Sequence, residues 1–172
     1  MTAGVDDCHD VLARTFGRYT SAARVVLLVA LDEAQAIGHA TVDTGHLLLG
    51  IAADRGLPGR ALRALGVTEP ALRIALSSPV CSAAPSPATA TWRLARVLAL
   101  ASAQARTLGE GQIAPEHLLL GLAAEGRGRG IRALASLGAS AATVRATLLE
   151  LLRGREWSPV APTIKQTNHD VK

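Results

Sequence analysis

Aromatic residues are nearly missing from this chain: one Phe, one Tyr and two Trp make up 2% of its 172 residues. A hydrophobic content of 49% must therefore pack through Leu, Val, Ile and Ala rather than through stacked rings. Cysteine is equally scarce. Cys8 and Cys81 form no CxxC pair and the five His sit singly along the chain, so no zinc-ligand spacing or disulfide framework is legible, and a Cys8–Cys81 bridge is not expected in a reducing compartment. Lysine is confined to Lys165 and Lys172, and the net charge of +4 rests on arginines scattered among 14 acids. That is too diffuse for a nucleic-acid stripe, and no segment concentrates basic and amide residues as a recognition helix does. Long apolar runs are lacking too. The longest, Val25 to Leu31, falls far short of the roughly 18–20 residues that span a bilayer, and the acidic start MTAGVDDCHD does not resemble a signal peptide. A cytoplasmic protein with no membrane partner is expected. Its length suits one domain or two small ones of about 75 residues, and its apolar content excludes disorder over most of it.

What is present is a repeat. Sliding the stretch that begins at Thr20 by 71 residues lays it on the stretch that begins at Thr91. Ala30 then falls on Ala101, Ala34 on Ala105, Gly38 on Gly109, and His46-Leu-Leu-Leu-Gly50 on His117-Leu-Leu-Leu-Gly121. Past a one-residue insertion, Leu62, Leu65 and Gly66 fall on Leu134, Leu137 and Gly138. Start and stop signals divide each half into four helices. In the first half these are Thr20 to Ile37, closed by Gly38; a helix after a Thr44 cap to about Ala53; Pro58 to Gly66; and a helix after the Thr68 cap to about Leu76. The second half gives Thr91–Leu108, Pro115–Ala124, Gly130–Leu137 and Ala141–Arg153. Strand signals are absent. The fold expected is all-α, a tandem of two four-helix repeats related by a pseudo-twofold, over residues 16–77 and 91–153. An N-terminal extension (1–15), an uncharged Ser/Pro/Ala linker (78–90) and a flexible tail (154–172) complete the expected organisation.

The pattern Phe16-Gly-Arg-Tyr-Thr20, a helix ending at Gly38-His39, His46-Leu-Leu-Leu-Gly-Ile51 and Ala61-Leu-x-x-Leu-Gly66-Val67 resembles the double repeat at the N-terminus of Clp ATPases, the ClpC type above all. The likeness runs from about Phe16 to Arg153. It implies an eight-helix fold that, in the parent unfoldases, receives substrates, adaptor proteins and, in actinobacterial ClpC, cyclic peptide antibiotics. The ATPase machinery itself is not seen. No GxxxxGK[ST] loop occurs, and both lysines follow every Gly-rich stretch, so the chain reads as the receiving domain alone, with no cofactor. No nucleophile–base pair or paired carboxylates can be identified either, so no enzymatic activity is expected.

Three sets of residues stand out. His46 and His117 open a helix at equivalent places, and the spacing around them supports packing or hydrogen bonding at a helix start rather than a metal site; His39 carries no pattern. In ClpC-type domains the residue before this His is a Glu in a Gly-Thr-Glu-His box, and the resemblance implies that it grips the guanidinium of phosphorylated arginine. Here the boxes read Asp43-Thr44-Gly45-His46 and Ala114-Pro115-Glu116-His117. The first has lost its carboxylate, so a phosphoarginine-like site is expected at Thr91, Arg93 and Glu116; alternatively, Glu116 is only a favourable charge in a first helical turn. The third set is aromatic and apolar. Phe16, Tyr19, Thr20, Arg24, Leu27, Leu31, Thr91, Trp92 and Leu98 cluster on the two repeat-opening helices and form either a groove for a cyclic or hydrophobic peptide or part of the core. Arg60, Arg63, Arg127, Arg129 and Arg132 read as a solvated face, and Trp157 as a residue that staples the tail.

Two functions follow as expectations. In the first, the chain is a non-enzymatic decoy that sequesters ClpC-directed cyclic peptides and so confers antibiotic tolerance. In the second, it is an adaptor or competitor in the Clp protease system, binding adaptor proteins, phosphoarginine-tagged substrates or the Clp ATPase.

Overall fold

Ala, Leu and Arg, all good helix formers, dominate the chain, and its apolar residues recur at helical spacing. The computed structural model describes residues 16–77 and 87–156, without the side chains of Phe16, of residues 87–91 and of residues 155–156. The N-terminal extension, both cysteines, residues 78–86 of the expected linker and the tail with Trp157 lie outside the described residues. Among the described residues a 3-10 turn at Phe16–Arg18 leads into eight α-helices: α1 (Ser21–Ala36), α2 (Thr44–Ala53), α3 (Leu57–Ala64), α4 (Glu69–Ser77), α5 (Pro87–Thr107), α6 (Pro115–Glu125), α7 (Arg129–Ser136) and α8 (Ala141–Glu156). The all-helical tandem read from the sequence is the fold observed.

Three of the differences from the expected helix limits bear on the site and the linkers. Helix α5 starts at Pro87 rather than Thr91, taking the last residues of the expected linker into its first turn, where proline's fixed φ fits. Helix α2 is capped by Asp43, so Thr44 is its first residue and not its cap. Helix α8 runs to Glu156, past the expected end at Arg153 and into the stretch read as tail.

Helices α2 and α6 are the centre of the molecule. Every residue of α2 from Thr44 to Ala52 is buried, and in α6 only Ala123 and Ala124 are not. A helix that is apolar on all sides needs neighbours on all sides. Helix α1 covers α2 and α5 covers α6, while α7 from the second repeat packs on α2 and α3 from the first packs on α6. The main core cluster, including Leu47, Leu48, Ile51, Leu62, Leu118, Leu120, Leu134 and Leu148, consequently runs through both repeats, and a smaller one gathers Ala30, Leu31, Ala34 and Val42. The repeats also join through backbone: Thr20 N–H donates to Ile113 C=O at 3.0 Å and Ile113 N–H to Arg18 C=O at 2.7 Å, a short bridge that buries Tyr19.

The glycine of each HLLLG motif permits a close contact of this kind. A Cβ on Gly121 would lie 2.6 Å from the Val97 carbonyl oxygen, and one on Gly50 would meet the Val26 carbonyl in the same way. The helices therefore cross backbone to backbone. Gly121→Ala should push α5 off α6 and cost about 1–3 kcal/mol, the usual range for overpacking. Gly111→Ala, where a Cβ meets nothing within 4 Å, should change stability by less than about 0.5 kcal/mol. Urea denaturation of the two variants measures the difference, and equal midpoints would remove the close crossing as a constraint.

Candidate functional site

The buried start of α2 must satisfy its own free N–H groups, and it does so with two side chains. Asp43, extended at φ −117° and ψ 179°, accepts from Gly45 N–H at 2.7 Å and His46 N–H at 3.2 Å, and the His46 Nδ1 accepts in return from Asp43 N–H at 2.9 Å. This is a capping box with histidine in the place usually held by Glu or Gln. In the second repeat Ala114 has no side-chain oxygen to offer, but its N–H still donates to His117 Nδ1 at 2.9 Å. Because Nδ1 accepts, the hydrogen-bond network assigns the proton of the neutral His46 ring to Nε2.

What each Nε2 faces comes from the preceding helix end. Gly38 and Gly109 adopt φ of 70° and 73°, the left-handed conformation that closes a helix and turns the next residue back. That residue is His39 in one repeat and Glu110 in the other. The His46 Nε2 lies 3.0 Å from the His39 Nδ1, and the His117 Nε2 lies 3.8 Å from a Glu110 carboxylate oxygen. Sequence spacing gave no sign that His39 would reach His46; the matched positions 39 and 110 were the available clue. Ligand atoms of His39, Asp43 and His46 lie within 4.8 Å of one another, close enough to consider a metal. The hydrogen bonding argues otherwise: the His46 Nε2 lone pair is replaced by a proton, and Asp43 is engaged by Gly45, His46 and Arg129. The constellation serves as a cap.

Arg129 is the second departure from expectation. Instead of standing on a solvated face it is buried, donating to the Asp43 Oδ2 at 3.0 Å and to the Leu76 carbonyl at 3.2 Å. Its aliphatic stem passes Gly45: a Cβ there would sit 3.4 Å from the Arg129 Cγ and 2.8 Å from the Leu76 Cδ2. The first box thus has the Arg129 stem beside Gly45, and Asp43 accepts from the Arg129 guanidinium.

Arg93 pairs with Glu125 at 2.5 Å and borders a cavity with Asp43 and Thr44, at the box of the other repeat. Glu116 is buried and neighbours Asp54, whose pKa is raised chiefly by burial and further by the Glu116 charge. The Thr91 side chain lies outside the described residues.

The expected peptide groove divides in a similar way. Tyr19, Leu27 and Leu31 are 3%, 5% and 8% exposed and belong to the core, because the face of α1 that carries them turns inward. Leu98 is half-buried against that core. Thr20 caps α1 by accepting from Ala23 N–H, and the Arg24 Nε donates to the Tyr19 carbonyl at 3.2 Å. Of the named residues Trp92 stands out, 57% exposed, with the Arg93 and Arg96 guanidinium carbons 5.7 and 5.8 Å from its ring centre. Val25 and Leu28, one turn apart on α1, are exposed as well. The Phe16 side chain lies outside the described residues.

Comparison with known proteins follows the same lines. The profile of the Clp repeat (R) N-terminal domain family matches residues 18–88 and again 89–167. The chain is 36% identical over 144 residues to the negative regulator of genetic competence ClpC/MecB of Bacillus subtilis, covering 82% of this chain and 18% of that protein. It is 33% identical over 153 residues to the chloroplastic chaperone protein ClpC of Pisum sativum, covering 87% of this chain and 16% of that one. A crystal structure of the N-terminal domain of the caseinolytic protease associated chaperone ClpD from Arabidopsis thaliana superposes with a TM-score of 0.67 at 33% identity, over 80% of this chain and 99% of that domain. The chain spans under a fifth of the length of the curated relatives it matches here. Among the described residues no helix is long and apolar enough to cross a membrane.

The buried cap makes a pH test available. Burial lowers the His46 pKa to about 4, Asp43 opposing the shift and Arg129 and His39 adding to it, against about 6.5 in the unfolded chain. Above pH 6.5 both states hold a neutral ring and the contribution is complete. As pH falls from 6.5 toward 4 the unfolded chain takes a proton that the fold refuses, and up to about 3 kcal/mol is lost. Denaturant midpoints between pH 7 and 4 should follow this slope, and His46→Gln, less stable at pH 7, should flatten it; a wild-type midpoint constant across the window would show that His46 is not held neutral.

Proposed function

The chain belongs to the Clp repeat N-terminal domain family, and from that premise we propose that it acts by binding alone, as a decoy that sequesters ClpC-directed cyclic or hydrophobic peptides. The observation that carries this reading is the exposed indole of Trp92 on α5. In a chain with four aromatic residues it is unusual that one is left over half exposed, between two guanidinium groups. Trp and Arg are the side chains most enriched where binding energy concentrates, since both present a broad, partly apolar surface with few rotors. Val25 and Leu28 add aliphatic surface on the other opening helix. With Tyr19, Leu27 and Leu31 committed to the core, a peptide would rest on these exposed residues rather than enter a deep groove.

The described residues around the boxes are engaged in structural bonds, which supports a binding role. His46 is locked as a neutral cap, and the carboxylates beside it hold backbone N–H groups or guanidinium groups. The same 172 residues contain no phosphate-binding loop. A decoy needs only a surface that competes with the receiving domain of a ClpC unfoldase, and family membership supplies a scaffold of that shape. The adaptor or competitor reading rests on Thr91, Arg93 and Glu116, and it is the weaker one because Arg93 and Glu116 attend different boxes.

Calorimetric titration with a ClpC-directed cyclic peptide should show saturable binding. Trp92→Ala should weaken it by about 2 kcal/mol, roughly thirtyfold, with Val25→Asp and Leu28→Asp acting in the same direction. Absence of binding to such peptides, or unchanged affinity in Trp92→Ala, would sink the decoy reading. Capture of a Clp ATPase or adaptor by the wild-type chain in that event would favour the alternative.

A further inference from the structure

Along its whole length α5 carries Arg93, Arg96 and Arg106 and not one Asp or Glu. Its outward face begins at Trp92, and Arg96 and Ala99 follow on the same side of the helix, all three of them exposed. The two guanidinium groups beside the indole are not equivalent. Arg93 is paired with the buried carboxylate of Glu125, so its charge is already answered. Arg96 makes no ion pair or side-chain hydrogen bond among the described residues; it meets the indole, with its guanidinium carbon 5.8 Å from the ring centre. Ala95 and Ala99, exposed beside it, add no bulk and no charge. The matching face of α1 is built differently. Under the shift of 71 residues Trp92 falls on Ser21 and Arg96 on Val25, and the arginine of that face, Arg24, donates to the Tyr19 carbonyl.

A guanidinium over an indole keeps its charge and loses water from the side that the ring covers. Its open side suits an anion, and a carboxylate matches the fork with two parallel hydrogen bonds. We propose that the peptide held at Trp92 carries a side-chain carboxylate next to an apolar or aromatic residue, the apolar residue resting on the indole and the carboxylate on the Arg96 guanidinium. This rests on the peptide-binding reading and names the chemical class of its ligand. A cyclic peptide has no terminal carboxylate, so the anion comes from Asp or Glu. The two contacts do different work. Burial of the ring supplies most of the affinity, whereas an ion pair that stays in contact with water is weak and acts on preference. A basic peptide meets the Arg96 charge on a helix that has no acid to receive it. The surface therefore ranks peptides of equal shape as acidic, then neutral, then basic.

The probes are a neutral ClpC-directed cyclic peptide and two sets of analogues, one with Glu and one with Lys placed at each of its neutral positions in turn. In calorimetric titration at low ionic strength, Glu beside an aromatic position should tighten binding about fivefold over the parent peptide, and Lys there should weaken it. Raising the salt should close this spread. Arg96→Gln, at an exposed position, should remove the preference for Glu, and Arg106→Gln, about 15 Å further along the helix, should preserve it. Circular dichroism verifies that the variants fold. If the parent binds but no Glu analogue binds more tightly, or if Arg96→Gln keeps the full preference, the carboxylate proposal is overturned while the peptide-binding reading stands. If neither parent nor analogues bind, that reading falls and takes the proposal with it.

Discussion

The need to bury two short helices that are apolar around their whole circumference governs the rest of the structure. Leu47, Leu48 and Ile51 of α2, like Leu118, Leu119, Leu120 and Leu122 of α6, are shielded completely from water. Each such side chain stabilises the fold by about 1.5–3 kcal/mol, but only if neighbours close over every face. The helices of one repeat leave one face open, and the partner repeat closes it: α7 lies on α2 and α3 on α6. The pseudo-twofold is therefore the packing solution as much as it is a trace of duplication. Gly50 and Gly121 belong to the same constraint, since only without a Cβ can the opening helix of each repeat approach closely enough to exclude water.

Burying a helix from its first turn creates a second requirement, because the first four N–H groups of a helix have no partner inside it. Water cannot reach them here. Histidine at the third position answers this with a ring that accepts the backbone N–H at the cap and directs its other nitrogen at the preceding helix end. The left-handed Gly38 and Gly109 set that helix end so that residue 39 or 110 arrives at the ring. The two repeats use the same geometry with different partners, His39 in one and Glu110 in the other.

Much of this was legible in the sequence because it is local and periodic. The slide of 71 residues, the closing glycines and the HLLLG motif fixed the number and order of helices, and the helix-start role of His46 and His117 followed from their position. What escaped notice depended on contacts between distant segments. The Arg129–Asp43 pair joins residues 86 apart, and nothing in either neighbourhood signals it. Leu27 and Leu31 could be read as groove or as core because the run Val25–Leu31 is apolar on every side. Which of its residues face outward depends on how α1 lies on α2, and the answer was Val25 and Leu28. The grouping of Thr91, Arg93 and Glu116 keeps within one repeat, and no local pattern shows that Arg93 also borders the first box or that the Glu116 charge reaches Asp54 of the first repeat.

That crossing also explains how two copies of one motif came to differ in charge. Each box is built at a junction, so its surroundings are supplied by the other repeat. The first box meets Arg93, Arg127, Arg129 and Arg132, while the second, with Glu116 as its own carboxylate, meets Asp54. A side chain at Gly45 would have to share its space with Leu76 and the Arg129 stem, so the glycine and the buried arginine fit together at this junction. The domain keeps its backbone symmetry and loses its electrostatic symmetry. A ligand recognised by shape alone would find two equivalent places on such a fold; a ligand recognised by charge finds one.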